Sequence, residues 1–185
     1  MNNHPIEAWS KEIKRGNRLA FSNFFRAYYP VYVSFACRYV DAKPQACDLV
    51  QDAFVTLWER RDELEPEKSL TSFMYTIIRN AALNHIRDYE SKYAQLTETQ
   101  WVHLNETSAE EDETASNDQL VRDLINQLPI RQKEAFELSR FDGLQHDEIA
   151  QIMDVSPRTV NNHIVAALKT LRSAYDKIKN QPMVI

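Results

Sequence analysis

Residues 146–171, HDEIAQIMDVSPRTVNNHIVAALKTL, combine two short helical patterns separated by a three-residue break. The apolar or small positions of the first pattern recur at helical spacing and are Ile149, Ala150 and Met153. The second pattern opens with Ser156, a good N-cap, and Pro157, whose fixed φ suits the first turn of a helix. Asp154 stands where a left-handed residue is needed, and Val155 can pack in the angle between the helices. This order of residues predicts a helix-turn-helix.

The second helix of this motif has an apolar face and a polar face. The apolar positions are Val160, Ile164, Leu168 and Leu171, which we expect to be buried. At about 100° per residue, three side chains point away from them, namely Arg158, Asn162 and Lys169, with Thr159 and Asn161 on the flanks. Arg and Asn can each form two hydrogen bonds with a base edge in the major groove, and Lys suits a phosphate. The pattern favours DNA reading over a helical hairpin whose polar face is merely solvated.

The composition of the whole chain favours an all-α protein. The 185 residues include only two glycines, and 43% of them are hydrophobic. No apolar run approaches the roughly 18 residues of a membrane span, and the first residues lack the basic and then apolar order of a signal peptide. We therefore expect a cytoplasmic protein that does not insert into a membrane.

Charge is distributed unevenly along the chain, although the formal net charge of −5 is unusual for a nucleic-acid binder. Residues 89–119 contain eight acidic side chains and one lysine, whereas residues 156–180 contain five basic side chains and one acidic one. We therefore expect a local positive potential around the second helix of the motif.

The two cysteines, Cys37 and Cys47, lie ten residues apart without a second pair or a histidine cluster. This spacing fits neither a zinc site nor a disulfide framework, so we expect buried, reduced thiols and neither metal nor cofactor.

Residues 6–90 predict a first helical domain. Its beginning is rich in large side chains that we expect in the core, namely Trp9, Ile13, Leu19, Phe21, Phe24, Phe25, Tyr28 and Tyr29. We expect Pro30 to interrupt this helical stretch. An amphipathic helix follows, with Leu49, Ala53, Leu57 and Trp58 on one stripe. Its charged face is either simply solvated or a partner surface, and periodicity does not choose between the two.

Residues 70–88, LTSFMYTIIRNAALNHIRD, predict another helix. Its polar side chains are Arg79, Asn80, Asn84, His85 and Arg87. An exposed aromatic ring near Asn and Arg can stack on an unpaired base while the amide reads the base edge. Phe73 and Tyr75 are the candidate rings, and the pattern is equally compatible with both being core residues.

Residues 91–117 turn polar and acidic, which predicts a flexible linker. Residues 118–180 predict a second helical domain that contains the helix-turn-helix. Its first helix carries Leu120, Val121, Leu124 and Ile125, and the next begins near Pro129. The inner residues of that next helix should be Ile130, Ala135, Phe136 and Leu138, and Gly143 should end it.

Three stretches resemble the extracytoplasmic-function sigma factors, a two-domain type of bacterial RNA polymerase specificity subunit. DLVQDAFVTLWERR resembles the helix that binds the polymerase clamp, and the matching residues are Asp48, Gln51, Asp52, Phe54 and Trp58. The stretch at 70–88 resembles the helix that melts and reads the minus-ten element. The resemblance assigns to that element Phe73, Tyr75, Arg79, Asn80, Asn84 and Arg87.

The third stretch, from Leu128 to Arg172, resembles the domain that reads the minus-thirty-five element, with Asp154 in the place of a usual glycine. The residues thereby assigned to DNA are Arg158, Thr159, Asn161, Asn162, His163 and Lys169. The resemblance implies a protein without enzymatic activity whose partners are core RNA polymerase, promoter DNA and an anti-sigma factor. It also implies that the linker threads through polymerase near the active-site channel.

Three other classes of protein fit this sequence less well. A response regulator also uses a turn such as SPRTVNNH, but its receiver half needs alternating strands and helices, and the first 90 residues show no such alternation. An enzyme would need a glycine loop, a metal cluster or a paired nucleophile and base, and none of these motifs is found. A pure adaptor without DNA contact does not explain the outward Arg158, Asn161 and Asn162.

Overall fold

A computed structural model describes residues 4–40, 42–66, 68–94 and 115–179. The chain divides into two compact units, Met1–Glu106 and Thr107–Ile185. Within the described residues every regular element is helical, which confirms the all-α prediction. No helix in this part of the chain is both long enough and apolar enough to cross a membrane.

The described part of the first unit contains four α-helices: α1 (His4–Lys14), α2 (Arg18–Ala36), α3 (Lys43–Glu59) and α4 (Leu70–Ala94). Helix α2 packs on α1 and α3, and α3 packs on α4. The start of α2 is capped by Asn17, whose Oδ1 accepts hydrogen bonds from the backbone N–H groups of Leu19 and Ala20 at 3.0 and 3.2 Å. A short 3-10 turn, Arg61–Glu63, follows α3.

The core of the first unit is aromatic. Phe24, Tyr32 and Phe35 are buried on α2, and Phe54 of α3 lies among Phe24, Phe25 and Tyr32 with ring centroids 4.7–5.9 Å away. Leu19 does not join them, since 69% of it is exposed in the first turn of α2. The expectation that Leu19 is a core residue was therefore wrong.

Pro30 lies inside α2 and does not interrupt it, contrary to the sequence-based expectation. A proline removes one backbone donor, but burial of Tyr32, Val33 and Phe35 in the next turn holds the helix together. Cys37, the C-cap of α2, is exposed rather than buried, and Cys47 is half-buried. Both thiols are free, as expected.

The second unit contains α5 (Ala115–Asn126), α6 (Ile130–Arg140), α7 (His146–Met153) and α8 (Pro157–Lys179). Helix α8 packs on α5, α6 and α7. One buried cluster joins Ile125, Leu128, Phe136 and Ala167, with Leu171 packed against it. Ile130 is 80% exposed, so its assignment to the inner face of α6 was wrong. It is the first residue of α6 after the N-cap Pro129, and at about 100° per residue it lies about 140° around the helix from the buried Ala135.

The expected linker is shorter at both ends than residues 91–117, because α4 continues to Ala94 and α5 begins at Ala115. Residues 95–114, on which the rest of this prediction falls, lie outside the described residues.

Candidate nucleic-acid interface

The turn between α7 and α8 has the geometry that the sequence predicts. Asp154 ends α7 in the left-handed conformation, with φ 55° and ψ 54°. The backbone N–H groups of Asp154 and Val155 both donate to the carbonyl oxygen of Ala150, the second at 3.0 Å. These bonds satisfy a carbonyl at the end of α7, and α8 begins three residues after Asp154, at Pro157. The predicted helix-turn-helix is confirmed.

Side-chain caps then fix where α7 and α8 begin. The backbone N–H of Gln145 donates to Oε2 of Glu148 at 2.9 Å at the start of α7. Ser156 Oγ accepts a hydrogen bond from the backbone N–H of Thr159 at 3.1 Å and lies 2.8 Å from Oγ1 of Thr159. Pro157 is the first residue of α8, where its missing N–H costs no hydrogen bond.

Helix α8 buries one side and presents the other to solvent. Val160, Ile164 and Ala167 are buried. Ala167 was missed by sequence reasoning because alanine carries little hydrophobic signal, although it follows Val160 by seven residues. Leu168 is partly exposed, so its assignment to the buried face was wrong, and Leu171 is half-buried.

The residues assigned to the minus-thirty-five element lie along the exposed side of α8. Arg158, Asn161, Asn162 and Lys169 are exposed, while Thr159 and His163 are half-buried at its edges. The hydroxyl of Thr159 is already engaged with Ser156. The structure therefore presents one guanidinium, two amides and one ammonium group on a single helical surface.

The outer face of α3 carries three of the five residues assigned to polymerase. Asp48, Gln51 and Asp52 are exposed, and Gln51 Nε2 donates to the hydroxyl of Tyr29 at 3.4 Å. Trp58 is half-buried with its ring edge-to-face against Phe21, and the guanidinium of Arg61 lies 5.0 Å from a Trp58 ring centroid.

Phe54 is only 2% exposed and packs within the aromatic core of the first unit. Its assignment to the polymerase-binding surface is therefore corrected to a core role, because a ring surrounded by five aromatic neighbours is not presented to a partner.

Two residues of α4 that were assigned to the minus-ten element are also buried. Tyr75 is 3% exposed, and its ring contacts Tyr32 and Phe35 with centroids 5.2 and 4.8 Å away. Arg79 is 6% exposed. Stacking on a base or binding a phosphate requires an accessible side chain, so we correct both residues to structural roles.

The remaining residues of that set share one face of α4. Asn80, Asn84 and Arg87 are exposed, and the half-buried Phe73 precedes Asn80 by seven residues, or about two turns. Next to this face, His85 is half-buried and its ring contacts the side-chain amide of Gln45 on α3. Tertiary structure thus leaves one aromatic ring, two amides and one guanidinium in a row.

An arginine that sequence reasoning did not assign to this face lies beside Phe73. The guanidinium carbon of Arg60 is 5.9 Å from the centroid of the Phe73 ring. Arg60 also donates two hydrogen bonds to Oε2 of Glu63, from Nε at 3.0 Å and Nη2 at 2.6 Å. The hydrogen bond from Arg60 lowers the pKa of the Glu63 carboxyl below its usual value. The spacing of Arg60 and Glu63 was a signal for the ion pair, but not for the contact with Phe73.

These elements define a class of protein: a two-unit, all-helical regulator that carries a helix-turn-helix. The family model for Sigma-70 region 2 matches residues 24–92, and that for Sigma-70 region 4 matches residues 118–171. The chain belongs to the sigma-70 family of RNA polymerase sigma factors, within its extracytoplasmic-function group, and it directs transcription initiation.

Similar proteins span nearly the whole chain. An ECF RNA polymerase sigma-E factor of Haemophilus influenzae is 26% identical over 188 residues, which cover 96% of each chain. The protein of the same description from Escherichia coli strain K12 is 29% identical over 185 residues, covering 94% of this chain and 93% of the relative.

Two solved structures share the fold. CnrH, in complex with the cytosolic domain of CnrY, aligns with a TM-score of 0.64 at 20% identity, over 94% of this chain and 98% of that one. The sigma factor RpoE of Bartonella quintana, in complex with the anti-sigma factor NepR, aligns with a TM-score of 0.65 at 21% identity, over 88% of this chain and 98% of that one.

Proposed function

We propose that the two units divide the work of promoter recognition. The second unit reads the minus-thirty-five element through the exposed side of α8, and the first unit binds core polymerase and opens the minus-ten element. The observation that carries the proposal is the surface of Arg158, Asn161 and Asn162 beyond a turn whose geometry is held by backbone hydrogen bonds. The corresponding domains are those predicted at residues 6–90 and 118–180, and the linker predicted at 91–117 is shortened by α4, which runs to Ala94, and by α5, which begins at Ala115.

In the second unit, Arg158 and Asn162 are suited to base edges in the major groove, since each side chain can form two hydrogen bonds in one plane. Asn161, Thr159 and His163 flank them, and Lys169 lies two turns farther along α8, where an ammonium group suits a phosphate. The chain as a whole has a net charge of −5, but the basic side chains of residues 156–180 provide a local positive charge that attracts DNA.

In the first unit, the exposed Asp48, Gln51 and Asp52 of α3 form the surface for core polymerase, together with the edge of Trp58. On α4, Phe73 receives an unpaired base and Asn80 reads its edge, while Asn84 and Arg87 follow the strand. Strand opening then comes from capture of a base that has left the stack, at the energetic cost of unpairing it. Polymerase carries out RNA synthesis. This protein, in the cytoplasm, contributes promoter recognition and opening of the DNA strands.

We also propose that an anti-sigma factor binds this chain. The similar CnrH and RpoE structures were both solved with a bound protein, and in the second case that protein is an anti-sigma factor. The second unit offers an open groove of about 1480 Å³, whose apolar lining includes Val121, Leu124, Val165 and Leu168. Such a groove accepts the apolar face of an amphipathic helix.

The test is run-off transcription with core RNA polymerase and a library of promoter sequences. We expect transcripts only when the chain is added, from promoters that share two conserved boxes. Polymerase that gains no promoter preference from the chain would contradict the proposal. If only the minus-ten element is enriched, the proposed role of the first unit stands and the proposed role of α8 in reading the minus-thirty-five element is wrong.

A further inference from the structure

The short turn after α3 places the guanidinium of Arg60 against the ring of Phe73, the residue proposed to receive an unpaired base. The last helical hydrogen bond of α3 runs from the N–H of Arg60 to the carbonyl of Thr56 at 2.9 Å. The N–H of Glu63 then donates to the carbonyl of Arg60 at 3.0 Å. In such a 3-10 turn, side chains three residues apart project in the same direction. Arg60 and Glu63 are therefore brought together by the backbone.

The turn is anchored to the body of the unit. Leu64, the residue after it, is buried, and its carbonyl oxygen accepts a hydrogen bond from Nζ of Lys14 at 2.6 Å. Arg60 itself is about half exposed, as is Glu63. An exposed arginine ordinarily samples many rotamers, but here two hydrogen bonds to one carboxylate oxygen hold the guanidinium on the side that faces Phe73.

The ring contact has the geometry of a cation–π interaction. The guanidinium carbon lies 5.9 Å from the Phe73 centroid, and the face of a phenyl ring carries the negative part of its quadrupole. The next residue, Arg61, instead turns to Trp58, so the two consecutive arginines engage different rings. Phe73 is in the first turn of α4 and only half-buried, so the contact with Arg60 adds to the packing that orients its ring.

From this arrangement we infer that Arg60 is a positioning residue for promoter opening: held by Glu63, it keeps the Phe73 ring oriented to receive an unpaired base. The inference rests on the proposed function of Phe73. Because Arg60 orders the Phe73 ring before a base arrives, the ring loses less entropy when the base stacks on it. The effect of Arg60 on opening therefore requires the Phe73 ring. Glu63 also prevents the guanidinium from turning toward other acceptors.

The experiment uses holoenzyme assembled from core polymerase and the full chain, on a promoter recovered from the library. The minus-ten region of the non-template strand carries 2-aminopurine, whose fluorescence rises when the base leaves the stack. Binding to duplex promoter is measured separately. We expect Arg60→Ala to lower the ratio of open to closed complex by about two- to fivefold, the range for an exposed cation–π contact, without a matching loss of duplex binding.

A double-mutant cycle separates a positioning role from a general one. In the Phe73→Ala background, Arg60→Ala should cause no further loss of opening. Arg60→Gln, which keeps a donor for Glu63 but no charge, should lose opening as Arg60→Ala does. Arg15→Ala is the matched control, because Arg15 is also exposed and also pairs with a glutamate three residues away, Glu12, at 2.8 Å.

Normal opening by Arg60→Ala, or an equal loss with and without the Phe73 ring, would overturn the inference. If Phe73→Ala is impaired while Arg60→Ala is not, the inference fails and the proposed role of Phe73 stands. If Phe73→Ala itself opens the promoter normally, the proposed stacking role is wrong, and the inference falls with it.

Discussion

The hydroxyl oxygen of Ser156 accepts a hydrogen bond from the backbone N–H of Thr159 at 3.1 Å, and this contact sets the first turn of α8. Four residues after Ser156, Val160 is buried, so the cap also sets the rotation of the helix that carries Arg158 and Asn162. One short polar contact therefore links the stability of the second unit to the direction of its proposed reading face.

Removing this cap should destabilise the second unit. Ser156→Ala leaves the N–H of Thr159 without its side-chain acceptor, and we expect a loss of about 1 kcal/mol in the free energy of unfolding. Chemical denaturation followed by circular dichroism measures the change. Ser173→Ala, at an exposed position within α8, is the control and should change stability by less than about 0.5 kcal/mol. Equal effects of the two substitutions would show that the cap contributes nothing specific.

Glycine at position 154 should stabilise the turn. Asp154 has a φ of 55°, a conformation that disfavours most side chains, so we expect Asp154→Gly to raise the free energy of unfolding by about 0.5–1 kcal/mol. Gln151→Gly, in the interior of α7, should instead lower it by about 1 kcal/mol. Thermal unfolding of both variants gives the comparison, and destabilisation by Asp154→Gly would mean that the aspartate side chain supports the turn.

Among the exposed side chains of α8, we expect some to contact DNA bases and others to contact phosphates, and substitutions should distinguish the two groups. Arg158→Ala or Asn162→Ala should cost about 1–3 kcal/mol on a preferred upstream element and relax its sequence preference. Lys169→Ala should weaken all sequences alike and reduce the salt dependence of binding by about one counterion. Binding titrations with holoenzyme at several salt concentrations measure both. Unchanged sequence preference in Arg158→Ala would remove this residue from the reading face.

Substitutions of Asp52 and Phe54, two residues apart on α3, should have different effects on polymerase binding and on the stability of the first unit. Phe54→Ala should destabilise the first unit by about 3–5 kcal/mol, because it empties an aromatic site in the core. Asp52→Ala should leave stability within about 0.5 kcal/mol, since the residue is exposed, while weakening the complex with core polymerase. Polymerase affinity is measured by competition for core enzyme. Full affinity in Asp52→Ala would exclude this carboxylate from the interface.

Asn80→Ala should impair promoter opening more than initial docking, because the amide is exposed on the same face of α4 as Phe73 and is proposed to act on an unpaired base. Permanganate reactivity of the minus-ten region reports opening, and duplex binding reports docking. The control is Tyr75→Ala, which should lower stability because its ring packs on Tyr32 and Phe35. A loss of docking as large as the loss of opening would argue against a melting role for Asn80.

The turn between α7 and α8 could be predicted from the sequence, because it depends on interactions between residues close together in the chain. The left-handed Asp154, the capping Ser156 and the helix-starting Pro157 each act within a few residues of chain, and all three adopt the predicted conformations. The same holds for Val160 and Ile164, which the helical spacing predicted to share a face and which are both buried, although Leu168 at the same spacing is exposed.

Tertiary structure decided which of several equivalent side chains are accessible. Phe73 and Tyr75 are two residues apart on one helix and identical in pattern, but Tyr75 faces the rings of α2 while Phe73 faces Arg60 beyond the end of α3. Phe54 is buried among the aromatic rings of α2, and Ile130 is exposed because it lies roughly on the opposite side of α6 from the buried Ala135.

The chain alone thus determined an all-helical protein with a helix-turn-helix, since helix periodicity, caps and a left-handed residue depend on contacts within about four residues. Only the packed structure decided that Tyr75, Arg79 and Phe54 are internal and that Arg60 lies on Phe73. The physical reason is that burial depends on where other helices lie, and residues far apart in the sequence determine that position.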